Sequence, residues 1–364
     1  MNSDRVKKLT PLLLRYTVGL FVGVMAIGAT GIDLEAQATT WRGGVTHVDT
    51  VQAPSLRGNL IGDPVWREAT VYLPPGYKTN RSKRYPVVYL LHGFAADHRA
   101  FMRGPYQNLN VRLSMDSLIE AGAVREMIVV TPNARTFFDG SFYINSPVTG
   151  NWEDFITRDL VGHIDRKYRA IRDRSGRGIT GHSMGGFGAL RIAMRHPDLF
   201  SAVYALSPCC LAEMNYPERR AAWKVAIGLK DRSEYRRAGF TANLLYAMAA
   251  AYSPNPERPP FFADLPYRLE ADSLVPVADV LNKWQGPLAM AASHIDALKR
   301  LDIVFDAGDA DALTDIPINV RALDSLLTAH GVDHTAEIYP GTHGSRIRSR
   351  IETKVFPFFS RELR

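Results

Sequence analysis

The sequence predicts an α/β protein whose mostly parallel central sheet is covered by helices on both faces. Short, continuous apolar runs are separated by segments in which apolar residues recur at spacings of three and four. The runs are typical of strands buried on both faces, and the spacing is typical of helices that pack one side against a sheet. The alternation of the two patterns therefore favours parallel strands joined by helices.

Seven segments have the pattern of core strands. The most continuous are 87–91 and 127–131, which are apolar apart from one threonine. Pro74 and Pro75 end the first strand, because proline cannot donate to a strand ladder. The predicted strands are 68–73, 87–91, 127–131, 177–180, 202–206, 303–305 and 335–339, of which the last alternates and is expected nearer an edge.

Helical spacing predicts the elements between these strands. The clearest helix covers 152–168, and Asn151 is its candidate cap. Pro317 suits the start of another helix, and Pro357 is expected to bend or end the last one. The remaining predicted helices are 186–194, 318–330 and 347–358.

The segment 211–298 interrupts the alternation of strands and helices. It contains helix-like stretches and a proline-rich piece at 253–260, but no strong strand. Because it lies between two core strands, we interpret it as a helical, cap-like insertion before the strand at 303–305 rather than as a second domain. Insertions above a sheet often cover a functional site. A role toward substrate and a role as a structural cover both remain open.

The first 38 residues have the organisation of a secretory signal peptide. Basic residues precede an uncharged, mostly apolar stretch at 16–32, and Ala36-Gln37-Ala38 then supplies small residues for cleavage. We therefore predict a signal peptide at 1–38, a single α/β domain at 39–364, and export to the periplasm or the extracellular space without stable membrane insertion after cleavage. An uncleaved N-terminal membrane anchor is the alternative, since the uncharged stretch is slightly short for a span.

Composition excludes several classes of function. The formal net charge is +7, but no dense basic run with interleaved aromatic residues is present, so nucleic-acid binding is not predicted. Cys209 and Cys210 are the only cysteines, and neighbours in sequence form neither a disulfide framework nor a zinc site. No cofactor or metal is predicted, and the sequence does not reveal the oligomeric state or the redox state of the two thiols.

The most informative motif is Gly181-His182-Ser183-Met184-Gly185, which reads Gly-x-Ser-x-Gly between a predicted strand and a predicted helix. A serine on such a turn is the nucleophile elbow of α/β-hydrolases. The flanking glycines are needed because the turn is sharp and a Cβ at either position would crowd it. Ser183 is therefore the candidate nucleophile.

A serine nucleophile needs a base, usually a histidine that a carboxylate orients. In this fold the acid follows the serine along the chain, and the histidine follows the acid. The segment after the strand at 303–305 supplies three candidate acids, Asp306, Asp309 and Asp311. The pattern of residues alone leaves the choice among the three open.

His343 is the candidate base. It lies in Gly341-Thr342-His343-Gly344, after the last predicted strand and before the last helix, and small neighbours leave its ring room to reach a cleft. His330 and His334 precede that strand, at the wrong end of the sheet. His196 ends a helix, and His182 should point away from its neighbour Ser183.

An oxyanion hole requires two backbone N–H groups directed at the developing negative charge. One comes from the residue after the nucleophile, which is Met184, and the other comes from the loop after an early strand. That loop is His92-Gly93-Phe94, so Phe94 is the second candidate donor. His92 is expected to hold the loop rather than to react.

These pieces together resemble the esterase D / putative-esterase family of α/β-hydrolases, which includes feruloyl esterases, S-formylglutathione hydrolases, enterochelin-esterase-like proteins and antigen 85 mycolyltransferases. The resemblance rests on residues 85–93, the 181–186 motif, Gly308-Asp309-Ala310-Asp311 and Gly341-Thr342-His343, and it covers roughly 55–362. It implies that Asp311 is the catalytic acid. It also implies an acyl pocket near 140–155, where Tyr143 and Trp152 line the pocket or, alternatively, pack in the core.

The sequence therefore predicts a secreted serine esterase that acts through an acyl-enzyme, on a small-molecule or glycan-linked ester with, for example, a carbohydrate-linked or aromatic acyl group. The export signal argues against the cytosolic role of an S-formylglutathione hydrolase. An acyltransferase of the mycolyltransferase kind, which would move the acyl group to a sugar hydroxyl, is the alternative. A non-catalytic binding protein on the same fold is a third possibility. The acyl and alcohol groups are not identified.

Overall fold

Eight strands form the central sheet of the protein, in a computed structural model that describes residues 43–104, 106–212 and 219–364. Their order across the sheet is β1-β2-β4-β3-β5-β6-β7-β8, and all neighbours from β4 to β8 are parallel, whereas β1–β2 and β2–β4 are antiparallel. In chain order the strands are β1 (Val45–Gln52), β2 (Trp66–Leu73), β3 (Val87–Leu91), β4 (Ile128–Pro132), β5 (Arg177–His182), β6 (Ala202–Leu206), β7 (Asp302–Gly308) and β8 (Thr335–Tyr339).

All seven predicted strands are present, with small differences in their bounds. β1 was not predicted, because it is an edge strand whose residues are mostly exposed and which therefore has no continuous apolar run. β7 is longer than predicted, because Asp306 interrupts the apolar pattern although the strand continues to Gly308.

Helices cover both faces of the sheet, which confirms the predicted architecture. Two buried clusters of apolar side chains, one on each face, join the sheet to the helices. The long helices are α1 (Val111–Glu120), α2 (152–167, π-helical at Phe155–Leu160), α3 (Met184–Arg195), α4 (Arg219–Gly228), α5 (Phe240–Tyr252), α6 (Asp315–Ala329) and α7 (347–362, π-helical at Ile351–Val355).

The two faces of the sheet are covered by different numbers of helices. Helices α2, α3, α5 and α6 share one buried cluster, whereas α1 and α7 belong to the other. α6 begins at Asp315, so Pro317 lies in its first turn rather than before it. α7 continues beyond Pro357 to Glu362. A π-helical turn lies directly before this proline, where the ordinary helical hydrogen bond is lost because proline has no N–H to donate.

The insertion 211–298 is mostly helical, as predicted, but it also contains a two-stranded hairpin, Tyr267–Glu270 with Ser273–Pro276, that the sequence analysis did not identify. Its helix α5 buries nine of its 13 residues, so the insertion shares the core of the domain. Short elements complete the described chain: helical turns at Pro54–Leu56, Gly76–Thr79, Ala100–Arg103, Arg174–Gly176, Arg232–Tyr235, Ala278–Leu281, Pro287–Ala291, Ala292–His294 and Ile295–Leu298, and a strand pair at Asn145–Ser146 and Gly150–Asn151.

The predicted signal peptide at 1–38 lies outside the described residues. Within them, none of the helices combines the length and apolar character needed to cross a membrane. Cys209 and Cys210 are both buried thiols, and the Cys210 Sγ–H donates to the Cys209 Sγ at 2.9 Å. No group of three or more His, Cys, Asp or Glu side chains in the described ranges could hold a metal ion.

Candidate active site

Ser183 occupies the sharp turn between β5 and α3. Its backbone has φ 58° and ψ −118°, a region that residues with a side chain rarely adopt. The Ser183 N–H donates to the Leu206 carbonyl at 2.9 Å, and its own carbonyl accepts from the Phe187 N–H at the same distance. These bonds to β6 and α3 hold the strained residue in place, as is common where strain serves function.

The glycines of the motif are needed for space. A Cβ on Gly181 would lie 2.5 Å from the Gly185 carbonyl, and a Cβ on Gly185 would overlap the Leu91 carbonyl oxygen at the end of β3. Both contacts are with backbone atoms, which cannot rotate away as a side chain can. The motif is therefore required by the close approach of α3 to β3, as the sequence predicts.

Asp311 and His343 lie on two neighbouring loops, after β7 and after β8. His343 Nδ1 is 2.7 Å from Asp311 Oδ2, and the other carboxylate oxygen accepts from the Leu313 N–H at 2.8 Å. The carboxylate is fully buried, whereas the imidazole is 25% exposed. Because a carboxylate can only accept, Nδ1 carries the proton and Nε2 is left as the basic nitrogen.

The two other candidate acids have different partners. The Asp306 carboxylate is buried in the sheet layer, where Oδ2 accepts from Tyr204 and from Arg350, both at 2.7 Å. Asp309 Oδ1 accepts from the Gly341 N–H at 3.0 Å and so ties the β7 loop to the loop that carries His343. Of the three aspartates, only Asp311 contacts the histidine.

A cavity of about 480 Å³ contains both Ser183 and His343 in its wall. Much of the remaining wall is apolar, and Phe94 meets Phe240 there edge to face, with ring centroids 5.3 Å apart. Phe240 begins α5, so the insertion contributes directly to this cavity. Phe240 was not predicted as a site residue. An aromatic residue directly after Gly239, at the start of a helix in the insertion, could have indicated it. A larger cavity of about 710 Å³ lies in the insertion and contains none of these residues.

The backbone N–H groups of Met184 and Phe94 are the two candidate oxyanion donors. Met184 is the first residue of α3, so its N–H has no acceptor within the helix. The Phe94 N–H likewise has no acceptor in the part of the chain that the structure describes. Gly93, the residue before Phe94, donates to the Tyr106 hydroxyl at 3.1 Å, which helps to hold the loop.

His92 holds this loop through hydrogen bonds and is not part of the cavity wall. Its Nε2 accepts from the Ala134 N–H at 2.9 Å, so Nδ1 is the protonated nitrogen and donates to the Gly93 carbonyl at 2.8 Å. Burial lowers the pKa of the His92 imidazole to about 4. His92 is thus neutral and structural, in agreement with the role that the sequence predicts.

Tyr143 and Trp152 do not line the cavity that contains Ser183, so of the two alternatives left open for them the structure favours packing in the core. Both side chains are fully buried. The Tyr143 hydroxyl donates to the His92 carbonyl at 2.9 Å and thereby supports the Phe94 loop, whereas Trp152 Nε1 donates to the Thr149 carbonyl at 2.8 Å. Their segment packs inward because its aromatic side chains join the core beneath α2 and α3.

Comparison with known proteins identifies the family of the chain. A family model described as "Putative esterase" matches residues 66–347. The endo-1,4-beta-xylanase/feruloyl esterase of Xylanibacter ruminicola is 28% identical over 217 residues, which are 54% of this chain and 29% of that protein. Esterase Rv1288 of Mycobacterium tuberculosis is 32% identical over 139 residues, 36% of this chain and 27% of that protein. The chain therefore spans less than a third of the length of these curated relatives.

A solved structure shares the fold. A ferulic acid esterase superimposes with a TM-score of 0.62 at 24% identity, over 88% of this chain and 99% of that chain. At this level of identity the likeness concerns the fold alone. It confirms the predicted α/β-hydrolase fold.

Proposed function

The chain belongs to the family described as "Putative esterase", as its motifs predict, and from this premise we propose that it is a serine carboxylic-ester hydrolase. One arrangement carries the proposal. Ser183, on a strained turn, shares a cavity with His343, whose imidazole is bonded to the buried Asp311. A hydroxyl nucleophile, a base and a group that orients the base are the three parts that acyl transfer requires.

In the proposed first half-reaction, Ser183 Oγ attacks the ester carbonyl carbon while its proton moves to His343 Nε2. The carbonyl π electrons move to oxygen and form a tetrahedral oxyanion. As this intermediate collapses, the bond to the alcohol oxygen breaks, and His343 gives its proton to the departing alcohol. The acyl group remains on Ser183. Water then repeats the same steps and releases the acid, which restores the serine hydroxyl.

The other residues support this sequence of steps. Asp311 holds His343 in the tautomer that leaves Nε2 free, and it stabilises the imidazolium that forms. The Met184 and Phe94 N–H groups are proposed to donate to the oxyanion, and the loss of one such donor typically costs ~10²–10³ in rate. No step in the proposed sequence uses a cofactor or a metal.

The substrates that we propose for this protein are a narrower class than carboxylic esters in general. The cavity around Ser183 is mostly apolar, and its two phenylalanines, Phe94 and Phe240, suit an apolar or aromatic acyl group. Relatives named feruloyl or ferulic acid esterases are consistent with an aromatic acyl group. We propose an ester of this kind, linked to a carbohydrate or another small alcohol. We also propose that the protein is exported, on the strength of the signal-peptide pattern at 1–38.

Two measurements test the proposal together. A fluorophosphonate probe should label the wild type and not Ser183→Ala, whereas Ser325→Ala, a control on the exposed side of α6, should label normally. A panel of p-nitrophenyl acyl esters beside methyl ferulate should identify the acyl group. Absence of both labelling and hydrolysis in the folded wild type would favour the non-catalytic binding protein.

Hydrolysis and acyl transfer differ only in the molecule that takes the acyl group from Ser183, which is water in the first and a sugar hydroxyl in the second. The same panel run with and without trehalose or other glycans separates them, because a transferase yields acylated sugar faster than free acid. Release of free acid as the main product, at the same rate with and without sugar, is the outcome expected of an esterase.

A further inference from the structure

A second cavity of about 520 Å³ adjoins the one that contains Ser183. The two share the side chains of Arg99 and Arg103, which stand on the short helical segment after the Phe94 loop. These two arginines therefore stand at the boundary between the two cavities.

The two cavities differ in chemistry. The first is mainly apolar near Ser183, whereas the second is mainly polar and offers groups that hydrogen-bond hydroxyls and anions. An ester has two halves, and the two halves leave the carbonyl carbon in different directions. An apolar cavity suits the acyl half, and a polar cavity suits a hydroxylated alcohol half. The polar lining consists of Thr46, Glu68, Thr70, His98, Arg99, Arg103, Asn110 and Arg112.

The charges in this lining do not all cancel within the protein. Arg99 pairs with Asp97, and Arg112 pairs with Asp116 at 3.3 Å. The carboxylate of Glu68 lies 3.2 Å from His98 Nε2. Arg103 has no carboxylate partner among the described residues, and its side chain belongs to both cavities. An unpaired guanidinium at this junction is a ready donor for an anionic group of a ligand.

We propose that the second cavity binds the alcohol part of the ester and that this part is an acidic sugar, whose carboxylate is bound by Arg103. This inference rests on the proposed serine esterase function. It adds a substrate class, namely an apolar acyl group esterified to a hydroxyl of a uronic acid. Arg103 is thus a residue that determines specificity, not one that takes part in bond making.

The test uses matched substrates. The acyl group hydrolysed fastest in the p-nitrophenyl panel is attached to a methyl uronoside, and the same ester is prepared with the uronate carboxylate blocked as its methyl ester. The quantity compared is the ratio of kcat/KM for the anionic ester to kcat/KM for the blocked ester. We expect the wild type to prefer the anionic ester about fivefold, in keeping with a partly exposed charge pair. Sodium chloride at about 0.5 M should reduce that ratio toward one.

Variants assign the preference to Arg103. Arg103→Gln should bring the ratio close to one, Arg103→Lys should retain part of it, and Arg321→Gln, an exposed arginine on α6, should leave it unchanged. Equal kcat/KM for the two esters in the wild type, or an undiminished ratio in Arg103→Gln, would overturn the proposal. If Arg103→Gln does not fold, the salt dependence of the wild-type ratio decides. Loss of p-nitrophenyl ester hydrolysis in the wild type would instead contradict the underlying esterase function.

Discussion

His182 Nε2 donates a hydrogen bond to the backbone carbonyl of His343, across 2.8 Å. Nε2 of this imidazole must carry a proton, since a carbonyl can only accept. Burial, aided by the neighbouring His343, lowers the pKa of His182 well below its usual range. The residue beside Ser183 thus holds the loop that carries His343, and the two imidazole centroids are 4.6 Å apart.

Replacement of His182 by phenylalanine keeps a flat ring in place but removes the donor. We expect kcat to fall about tenfold with little change in KM, because the His343 loop is then less well held for proton transfer. His182→Gln, whose amide nitrogen can replace Nε2, should recover most of the loss. Steady-state kinetics on a p-nitrophenyl ester measure both. Equal kcat values for the phenylalanine variant and the wild type would show that the bond does not position the base.

Gly185→Ala should prevent formation of the elbow. The new Cβ would overlap the Leu91 carbonyl oxygen, and neither backbone segment can move without disturbing β3 or α3. We expect destabilisation of at least about 3 kcal/mol, or insoluble protein. Gly228→Ala is the matched control, because its Cβ would meet nothing within 4 Å. Thermal unfolding of the two variants beside the wild type measures the difference, and similar Tm values would contradict the packing argument.

The three aspartates after β7 should separate into three phenotypes. Asp311→Asn is expected to lower kcat by ~10³–10⁴ without unfolding the protein, because the imidazole then loses its orienting carboxylate. Asp306→Ala should instead cost about 3 kcal/mol of stability, because the buried Arg350 and Tyr204 both lose the carboxylate that accepts from them, although Arg350 keeps its bonds to Glu337. Asp309→Ala should cost about 1 kcal/mol and reduce kcat less than tenfold, since it loses only the bond to Gly341. Urea unfolding and kcat, measured on the same preparations, test the assignment.

Glu153, near the start of α2, should make stability depend on pH in acid. Burial alone would raise the pKa of this carboxyl, but hydrogen bonds from His196 and Arg195 and the charge of Arg191 outweigh burial and lower the pKa to about 2. The unfolded chain has the ordinary value of 4.5. The stabilisation is therefore complete above about pH 4.5 and is lost as the pH falls through about 2.

The comparison of wild type with Glu153→Gln isolates this effect, because the other carboxyl groups titrate in both proteins. At pH 5 the variant should be less stable by about 3 kcal/mol, and the gap should narrow steadily toward pH 3. Urea unfolding at several pH values provides the free energies. Glu257→Gln, at an exposed position, is the control. A gap that stays constant across this pH range would rule out the predicted linkage.

Much of the fold follows from local patterns in the sequence. The continuous runs in β3 and β4 predict buried strands because both faces of a central strand must be apolar. β1 and the 267–276 hairpin were not predicted, because strands that are largely exposed need no continuous run of apolar residues. The resemblance left open whether Tyr143 and Trp152 line a pocket or pack in the core, because burial decides between the two and depends on which helices lie above these residues.

The sequence by itself determined the Gly-x-Ser-x-Gly motif, the chain order of the candidate serine, acid and base, and the alternation that builds a parallel sheet. These features are local, or depend only on position along the chain. The resemblance already favoured Asp311 over Asp306 and Asp309, but only the tertiary structure showed that its side chain alone of the three contacts His343. Only the tertiary structure brought Phe240 of the insertion to Phe94 and linked His182 to His343. Each of these relationships joins residues that are distant in sequence or, for the aspartates, depends on the direction in which a side chain leaves the end of a strand. Such directions and distances arise only when the sheet, the loops and the insertion pack together.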